Sequence, residues 1–234
     1  MLHSTSLRDT ALPDTAAGRH NGTGQVLWLV RHGESTWNAR GLAQGHDDQA
    51  RLTSRGLRQA RAVAIQLRDR PIRALYSSDL RRALQTAAPL ASALGLTVTR
   101  DVRLRERCLG AAEGTATASI GPAVSGVGDG RVADPDARPD GGESLRDFYR
   151  RVAEFTDELT ALRATEGADP AEDPGWAGDV AVVAHGGTLR MMSAYRRGVP
   201  VEQMTWEPLA NACIVRSPTG WSPHSQENRR EENR

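Results

Sequence analysis

Residues 26–34 read VLWLVRHGE, an apolar run that is followed at once by an arginine, a histidine, a glycine and a glutamate. A second stretch, residues 180–187, reads VAVVAHGG and has the same form. A short continuous apolar run is typical of a parallel strand that is covered on both faces. Because ligands bind at the carboxyl ends of such strands, we expect His32 and His185 to lie at one edge of a sheet.

Strand and helix patterns alternate along the rest of the chain. Further strands are predicted at residues 72–76, 97–99 and 212–216. Helices are predicted by apolar residues three and four positions apart. They begin after the N-cap residues Thr53 and Asp79, at Leu145 and after His185-Gly186-Gly187. The second is interrupted at Pro89 and ends at Gly95, the third reaches Leu162 and the fourth reaches Tyr195. The alternation predicts an α/β fold, a three-layer sandwich whose mostly parallel central sheet carries helices on both faces.

The length of 234 residues favours one domain. We expect that domain at residues 25–221, between a loose extension at 1–24 and a disordered tail at 222–234. Residues 114–142 are rich in Gly, Pro and Asp and show no period, so a flexible flap is predicted there. We leave open whether the chain is a monomer or a homodimer, although Met191, Met192, Tyr195, Trp206 and Trp221 are more typical of core than of an interface.

Composition excludes several classes of partner and structure. The 30 basic residues, all of them Arg, balance 29 acidic ones, so long-range attraction to nucleic acid or to a membrane surface is not expected. Cys108 and Cys213 cannot form a disulfide framework and lack zinc-ligand spacing. No apolar run is long enough to span a membrane and no secretory signal is visible, so a cytoplasmic protein is expected.

The residues that follow the predicted strands suit a phosphate monoester. They are Arg31-His32-Gly33-Glu34, Ser77-Ser78-Asp79-Leu80-Arg81-Arg82, Arg103-Leu104-Arg105-Glu106 and His185-Gly186-Gly187. Arginine matches phosphate oxygens with a planar fork, and a helix that opens right after His185-Gly186-Gly187 points free N–H groups at an anion. A neutral imidazole can attack phosphorus to give a covalent phosphoenzyme. Glu106 is the candidate for a general acid at the leaving oxygen.

These motifs resemble the histidine phosphatase superfamily, the phosphoglycerate mutase-like proteins. The resemblance covers about residues 25 to 216. It rests on residues 29–38, LVRHGESTWN, and on the further motifs Gln44-Gly45, Leu52-Thr53, Ser77-Ser78-Asp79-Leu80-Arg81-Arg82-Ala83, Leu104-Arg105-Glu106, Gly141-Gly142-Glu143-Ser144-Leu145 and Ala184-His185-Gly186-Gly187, all in the family's order.

The resemblance implies a role for each matching residue. His32 would be the phosphorylated nucleophile, Arg31, Arg82 and His185 would bind the phosphoryl group, and Glu106 would donate the proton. Asn38, Gln44, Gly45 and Gly186 are further phosphate-site or substrate-site residues on this view. The family needs no metal and no organic cofactor. Arg81 is expected to face solvent, and Glu34 is expected to hold a turn.

Departures from the family pattern favour a phosphatase over a mutase. The 45–53 loop is one residue longer than usual, Ala112 replaces a common aromatic residue, and residues 115–120, TATASI, differ from the matching stretch of the cofactor-dependent mutases. The predicted substrate is a small phosphate monoester: a sugar phosphate, a phosphoglycerate derivative or a nucleoside-type phosphate. The alternatives are mutase-type phosphoryl transfer, a non-catalytic phospholigand-binding relative and, without specific support, a protein phosphatase.

Overall fold

The computed structural model describes residues 26–165 and 178–218. The expectations for 1–24, for 222–234 and for Trp221 lie outside these residues. The strands are β1 (Val26–Arg31), β2 (Ile72–Ser77), β3 (Val98–Arg100), β4 (Val127–Gly128), β5 (Arg131–Val132), β6 (Asp179–Ala184) and β7 (Ile214–Pro218). The helices are α1 (Thr36–Ala39), α2 (Ser54–Leu67), α3 (Arg81–Leu94), α4 (Pro122–Ser125), α5 (Leu145–Thr165) and α6 (Gly186–Arg196).

Five strands form the central sheet in the order β3-β2-β6-β1-β7. The first four are mutually parallel, and β7 runs antiparallel along β1 at the edge. Alternate side chains of β1 and β6 point to opposite faces. One face packs with α2 and α3, the other with α5 and α6, and each face carries its own buried apolar cluster. The predicted three-layer α/β sandwich with a mostly parallel sheet is confirmed.

Helix α2 begins where the sequence predicts, because the Thr53 hydroxyl accepts a hydrogen bond from Gly56 N at 3.0 Å. The prediction for α3 is wrong in two respects. Its N-cap residue is Leu80, since the Asp79 carboxylate instead accepts two bonds from the Arg105 guanidinium, at 2.8 and 2.6 Å. The helix also continues through Pro89. The proline removes only one helical hydrogen bond, and the packing of the buried α3 face on the sheet maintains the helix.

Residues 114–142 contain defined elements despite their lack of period. They form α4 and the β4–β5 hairpin, which continues toward residues 204–206 through Val132 N to Met204 O and Trp206 N to Gly130 O. The buried Arg107 guanidinium donates to the carbonyl groups of Ser125 and Ala137 within the segment. The segment is therefore tied to the domain at several points, and its flexibility stays a prediction.

Met191 and Met192 lie fully buried in the core beside α5, as expected. Trp206 is only half-buried, and Tyr195 donates its hydroxyl to the exposed carboxylate of Asp157. Within residues 26–165 and 178–218, no helix is long and apolar enough to cross a membrane.

Candidate active site

The two histidines predicted at strand ends lie side by side. Strands β1 and β6 are parallel neighbours with Arg31 opposite Ala184, so the next residue of each strand, His32 and His185, leaves the sheet at the same edge. Their ring centroids are 5.1 Å apart with an angle of 61° between the planes. Both imidazoles are buried.

The hydrogen bonds of the two rings fix their donor and acceptor atoms. His32 Nδ1 lies 2.7 Å from the Gly33 carbonyl oxygen, which can only accept, so the proton is on Nδ1 and Nε2 keeps its lone pair. His185 Nε2 lies 2.9 Å from the hydroxyl of Ser78, and that hydroxyl can donate to it. When the Ser78 hydroxyl donates, the ring proton of His185 is on Nδ1, which is buried without a partner among the described residues.

Burial keeps both imidazoles neutral. The pKa of His32 lies well below its usual range, first because the ring is buried and then because Arg82 and Arg31 are positively charged. The same causes, together with His32 itself, lower the pKa of His185. A nucleophile that must attack in its unprotonated form is thus available at neutral pH.

This burial predicts a loss of stability in mild acid. The pKa of His46 is also lowered by burial, and the unfolded chain takes up protons on all three rings below about pH 6.5. Because the folded chain resists that uptake, we expect the free energy of unfolding to fall by up to about 1.4 kcal/mol per pH unit for each ring. Urea denaturation between about pH 7.5 and about pH 5.5 measures the slope, away from the carboxyl range near pH 4.

The variant His185→Asn provides the control for that measurement. It removes one of the three rings whose pKa is lowered in the folded chain, so the slope of unfolding free energy against pH should decrease. A stability that stays constant over this pH range in the unsubstituted protein would contradict the assignment of neutral, buried imidazoles.

Two arginines bring positive charge to the histidine pair. Arg82 is fully buried, and its terminal nitrogens donate to the carbonyl oxygens of Asp47 and Gly45, each at 2.8 Å. Burial lowers its pKa to about 10, and nearby carboxylates oppose the shift, so it stays charged at neutral pH. Arg31 Nη1 donates to the carbonyl of Leu209. The Nε atoms of Arg31 and Arg82 are buried and have no hydrogen-bond partner among the described residues.

Glu106 is held at the same cavity by backbone donors. Its two carboxyl oxygens accept from Arg107 N at 2.9 Å and from Gly187 N at 3.0 Å. A Cβ atom on residue 187 would lie 2.1 Å from Glu106 Oε1, so only glycine leaves room for this carboxyl group. The start of α6 therefore positions both His185 and the candidate acid.

The remaining predicted residues lie at the cavity as well. Asn38, Gln44, Gly45 and Gly186 all line it. The carboxamide oxygen of Asn38 accepts from Ser35 N at 3.1 Å and from Asn211 Nδ2 at 3.0 Å, which leaves its Nδ2 donor for a ligand. Gly45 has a positive φ of 46°, a conformation that glycine adopts without strain.

Glu34 and Arg81 lie outside the cavity, as predicted. The Glu34 carboxylate accepts from the Thr53 hydroxyl at 2.8 Å and from Arg55 at 3.2 Å, so it holds the turn between β1 and α2. Arg81 is exposed on α3. Among the residues that the structure describes, no group of three His, Cys, Asp or Glu side chains could hold a metal ion.

The cavity has a volume of about 300 Å³ and includes residues that sequence reasoning missed. Arg107, Arg190 and Trp206 also line the cavity, and Asn211 donates a hydrogen bond to the carboxamide oxygen of Asn38. Because the chain contains 30 arginines, residue type alone does not identify which of them line a functional site. Trp206 and Asn211 reach the site from a loop without period, and only their tertiary contacts show it.

The matching family model is the histidine phosphatase superfamily (branch 1), over residues 27–220, and the chain belongs to that family. The predicted resemblance is thereby confirmed. Members of the family with similar sequences or structures carry names of phosphatases and of phosphoglycerate mutases, which are both phosphoryl-transfer enzymes.

Three relatives illustrate the range. The probable phosphoglycerate mutase GpmB of Yersinia pestis is 33% identical over 198 residues, which cover 81% of this chain and 83% of that protein. The structure of a mycobacterial glucosyl-3-phosphoglycerate phosphatase in complex with VO3 is 34% identical at a TM-score of 0.67, covering 82% of this chain and 92% of that one. An Escherichia coli protein provisionally assigned as an alpha-ribazole-5′-P phosphatase is 27% identical at a TM-score of 0.68, covering 84% and 91%.

Proposed function

We propose that this protein is a metal-independent phosphatase that hydrolyses a small-molecule phosphate monoester through a phosphohistidine intermediate. The observation that carries the proposal is a set of unpartnered, buried nitrogen atoms beside the His32 nucleophile: Arg31 Nε, Arg82 Nε and His185 Nδ1. Buried donors without acceptors are costly, and a bound phosphoryl group supplies oxygens to all three.

The proposed reaction has two displacements. In the first, His32 Nε2 attacks phosphorus, the P–O bond to the alcohol breaks, and Glu106 gives its proton to the leaving oxygen. In the second, the Glu106 carboxylate takes a proton from water, the water oxygen attacks phosphorus, and the P–N bond breaks to release inorganic phosphate. Arg31, Arg82 and His185 donate to the phosphoryl oxygens in both transition states.

Cavity size supports a small substrate. A volume of about 300 Å³ lies at the lower end of the range for ligand pockets, about 300–1,000 Å³. The 114–142 segment contributes Thr117, Ile120, Ser125 and Val127 to the lining, so the site is covered on one side. A sugar phosphate, a phosphoglycerate derivative or a nucleoside-type phosphate remains the proposed substrate class, and the name of the mycobacterial relative supports the second of these.

A mutase is the second candidate, and one observation favours it. A mutase must keep its intermediate away from water, and a loose 114–142 segment would not do so. Hydrogen bonds to Arg107 and to residues 204–206 tie the segment to the domain, which supports the shielding from water that a mutase requires. Simultaneous measurement of inorganic phosphate release and of phosphoglycerate isomer formation separates the two: we expect release to dominate, and isomer formation without release would overturn the phosphatase proposal.

The variant Glu106→Gln tests the acid role. Alkyl phosphates have poor leaving groups that need a proton, so kcat on an alkyl phosphate should fall by about 10²- to 10⁴-fold. An aryl phosphate such as p-nitrophenyl phosphate needs little protonation and should lose much less. The matched control is Glu113→Gln, a nearby carboxyl group that accepts from His46 N and Leu109 N instead of lining the cavity. Equal losses on both substrates with Glu106→Gln would remove Glu106 from this role.

A further inference from the structure

Arg190 is a cavity residue that the proposed reaction does not use. It lies on α6, its Nε donates to the carbonyl of Glu207 at 2.6 Å, and its guanidinium group stacks on Trp206 with 4.9 Å to the ring centroid. These two contacts fix the plane of the guanidinium group. Its terminal nitrogens take part in neither contact.

The positive charge of Arg190 has no carboxylate partner among the described residues. Within residues 26–165 and 178–218, no carboxylate oxygen lies within 4.0 Å of its nitrogens, and its Nη1 and Nη2 atoms make no hydrogen bond. Burial lowers the pKa of Arg190, and the neighbouring charge of Arg31 adds to this effect while Glu106 opposes it. A half-buried guanidinium group that lines the cavity without a carboxylate partner is available to a ligand anion.

The terminal nitrogens of Arg190 lie close to the proposed phosphoryl site. The position that a Cβ atom of residue 186 would occupy is 3.1 Å from Arg190 Nη1 and 3.4 Å from Arg31 Nε. The two guanidinium groups thus meet over Gly186.

When Arg31 and Arg82 are assigned to the phosphoryl group, Arg190 is a cavity arginine that this group does not use. Four arginines and one glutamate line the cavity. Arg107 donates from Nε, Nη1 and Nη2 to the carbonyl groups of Glu143, Ser125 and Ala137, so its donors are used within the protein. Arg31 and Arg82 serve the two negative charges of a phosphate monoester. Of the four arginines, Arg190 is therefore the one whose terminal nitrogens remain for a further anionic group on the ligand.

We propose that Arg190 is a specificity-determining residue that binds a carboxylate on the substrate, next to the phosphate that His32 attacks. This inference rests on the proposed function and narrows its substrate class to phosphate monoesters that also carry a carboxylate. A carboxylate matches the planar guanidinium fork and brings one charge. A second phosphate would bring about two charges against one arginine.

Two small phosphates that differ in one group provide the test: 3-phosphoglycerate and glycerol 3-phosphate, in which a hydroxymethyl group replaces the carboxylate. Their dissociation constants are measured by calorimetry in a His32→Ala background, which blocks turnover. Because a hydrogen bond between charged groups contributes about 1.5–3 kcal/mol, we expect roughly ten- to hundredfold tighter binding of the carboxylated compound.

Three further substitutions in this background identify the cause of any preference. Arg190→Met should reduce the preference to about twofold or less, and Arg190→Lys should keep an intermediate value because it retains the charge without the fork. Arg197→Met removes the same charge from an exposed position beyond the end of α6 and should keep the full preference.

Several outcomes would overturn the inference. They are equal binding of the two compounds before substitution, an unchanged preference in Arg190→Met, and an equal weakening of both compounds, which would mark a structural role for Arg190. Failure of the proposed function is a separate result: the unsubstituted protein would then release no phosphate from p-nitrophenyl phosphate, whatever its binding preference.

Discussion

Replacement of His32 by alanine should abolish turnover of p-nitrophenyl phosphate. The imidazole is the one described side chain that presents an unprotonated nitrogen beside the unpartnered donors of Arg31, Arg82 and His185. Loss of a covalent nucleophile costs about 10⁴-fold or more in kcat, because the remaining donors cannot split the reaction into two steps. Release of inorganic phosphate, followed in a continuous assay, measures the loss.

The matched control for this variant is His46→Ala. His46 lies near Glu106, with its Nε2 atom 2.8 Å from the Glu106 carbonyl oxygen, but it does not line the cavity. It should retain most of the activity. Thermal denaturation verifies that both variants fold. A His32→Ala protein that folds and keeps more than about a tenth of the activity would refute the nucleophile assignment.

The second large effect is expected at Arg82. A guanidinium group that stabilises the charge of a transferring phosphoryl group contributes about 10³- to 10⁵-fold to kcat. Arg82→Met removes that charge and also leaves the carbonyl oxygens of Gly45 and Asp47 without their donor. We therefore expect kcat/KM for p-nitrophenyl phosphate to fall by at least about 10³-fold, with a lower melting temperature.

Two comparisons separate chemistry from stability in that result. Arg81→Met removes the same charge from the exposed neighbouring residue of α3 and should change kcat/KM by less than about threefold. Arg82→Lys keeps a positive charge and should recover part of the stability but little of the activity, because lysine lacks the planar fork. Full activity in a folded Arg82→Met protein would remove Arg82 from the phosphoryl site.

The fold was largely predictable because its strands carry strong local signals. Continuous apolar runs at β1 and β6 identify strands that are buried on both faces, and Thr53 identifies the start of α2. The errors at α3 have a tertiary cause. Aspartate is a common N-cap residue, but the guanidinium group of Arg105, 26 residues away, donates two charged hydrogen bonds to the Asp79 carboxylate.

The candidate site was predictable where it follows directly from strands. His32 and His185 come together because β1 and β6 are parallel and in register, a general property of such sheets. Arg190, Trp206 and Asn211 could not be found in this way, because their positions depend on how α6 and the loop before β7 pack over the strand ends. Residues 114–142 illustrate the same limit: they contact Arg107 and residues 204–206, and no local period in the sequence indicates these contacts.

The central claim is that one imidazole receives the phosphoryl group. A rapid-quench experiment with ³²P-labelled substrate, followed by peptide mapping under alkaline conditions that preserve phosphohistidine, measures this directly. The account predicts a labelled intermediate on His32 that forms and decays at rates consistent with steady-state turnover. Label on any other residue, or turnover without a phosphoenzyme, would contradict it.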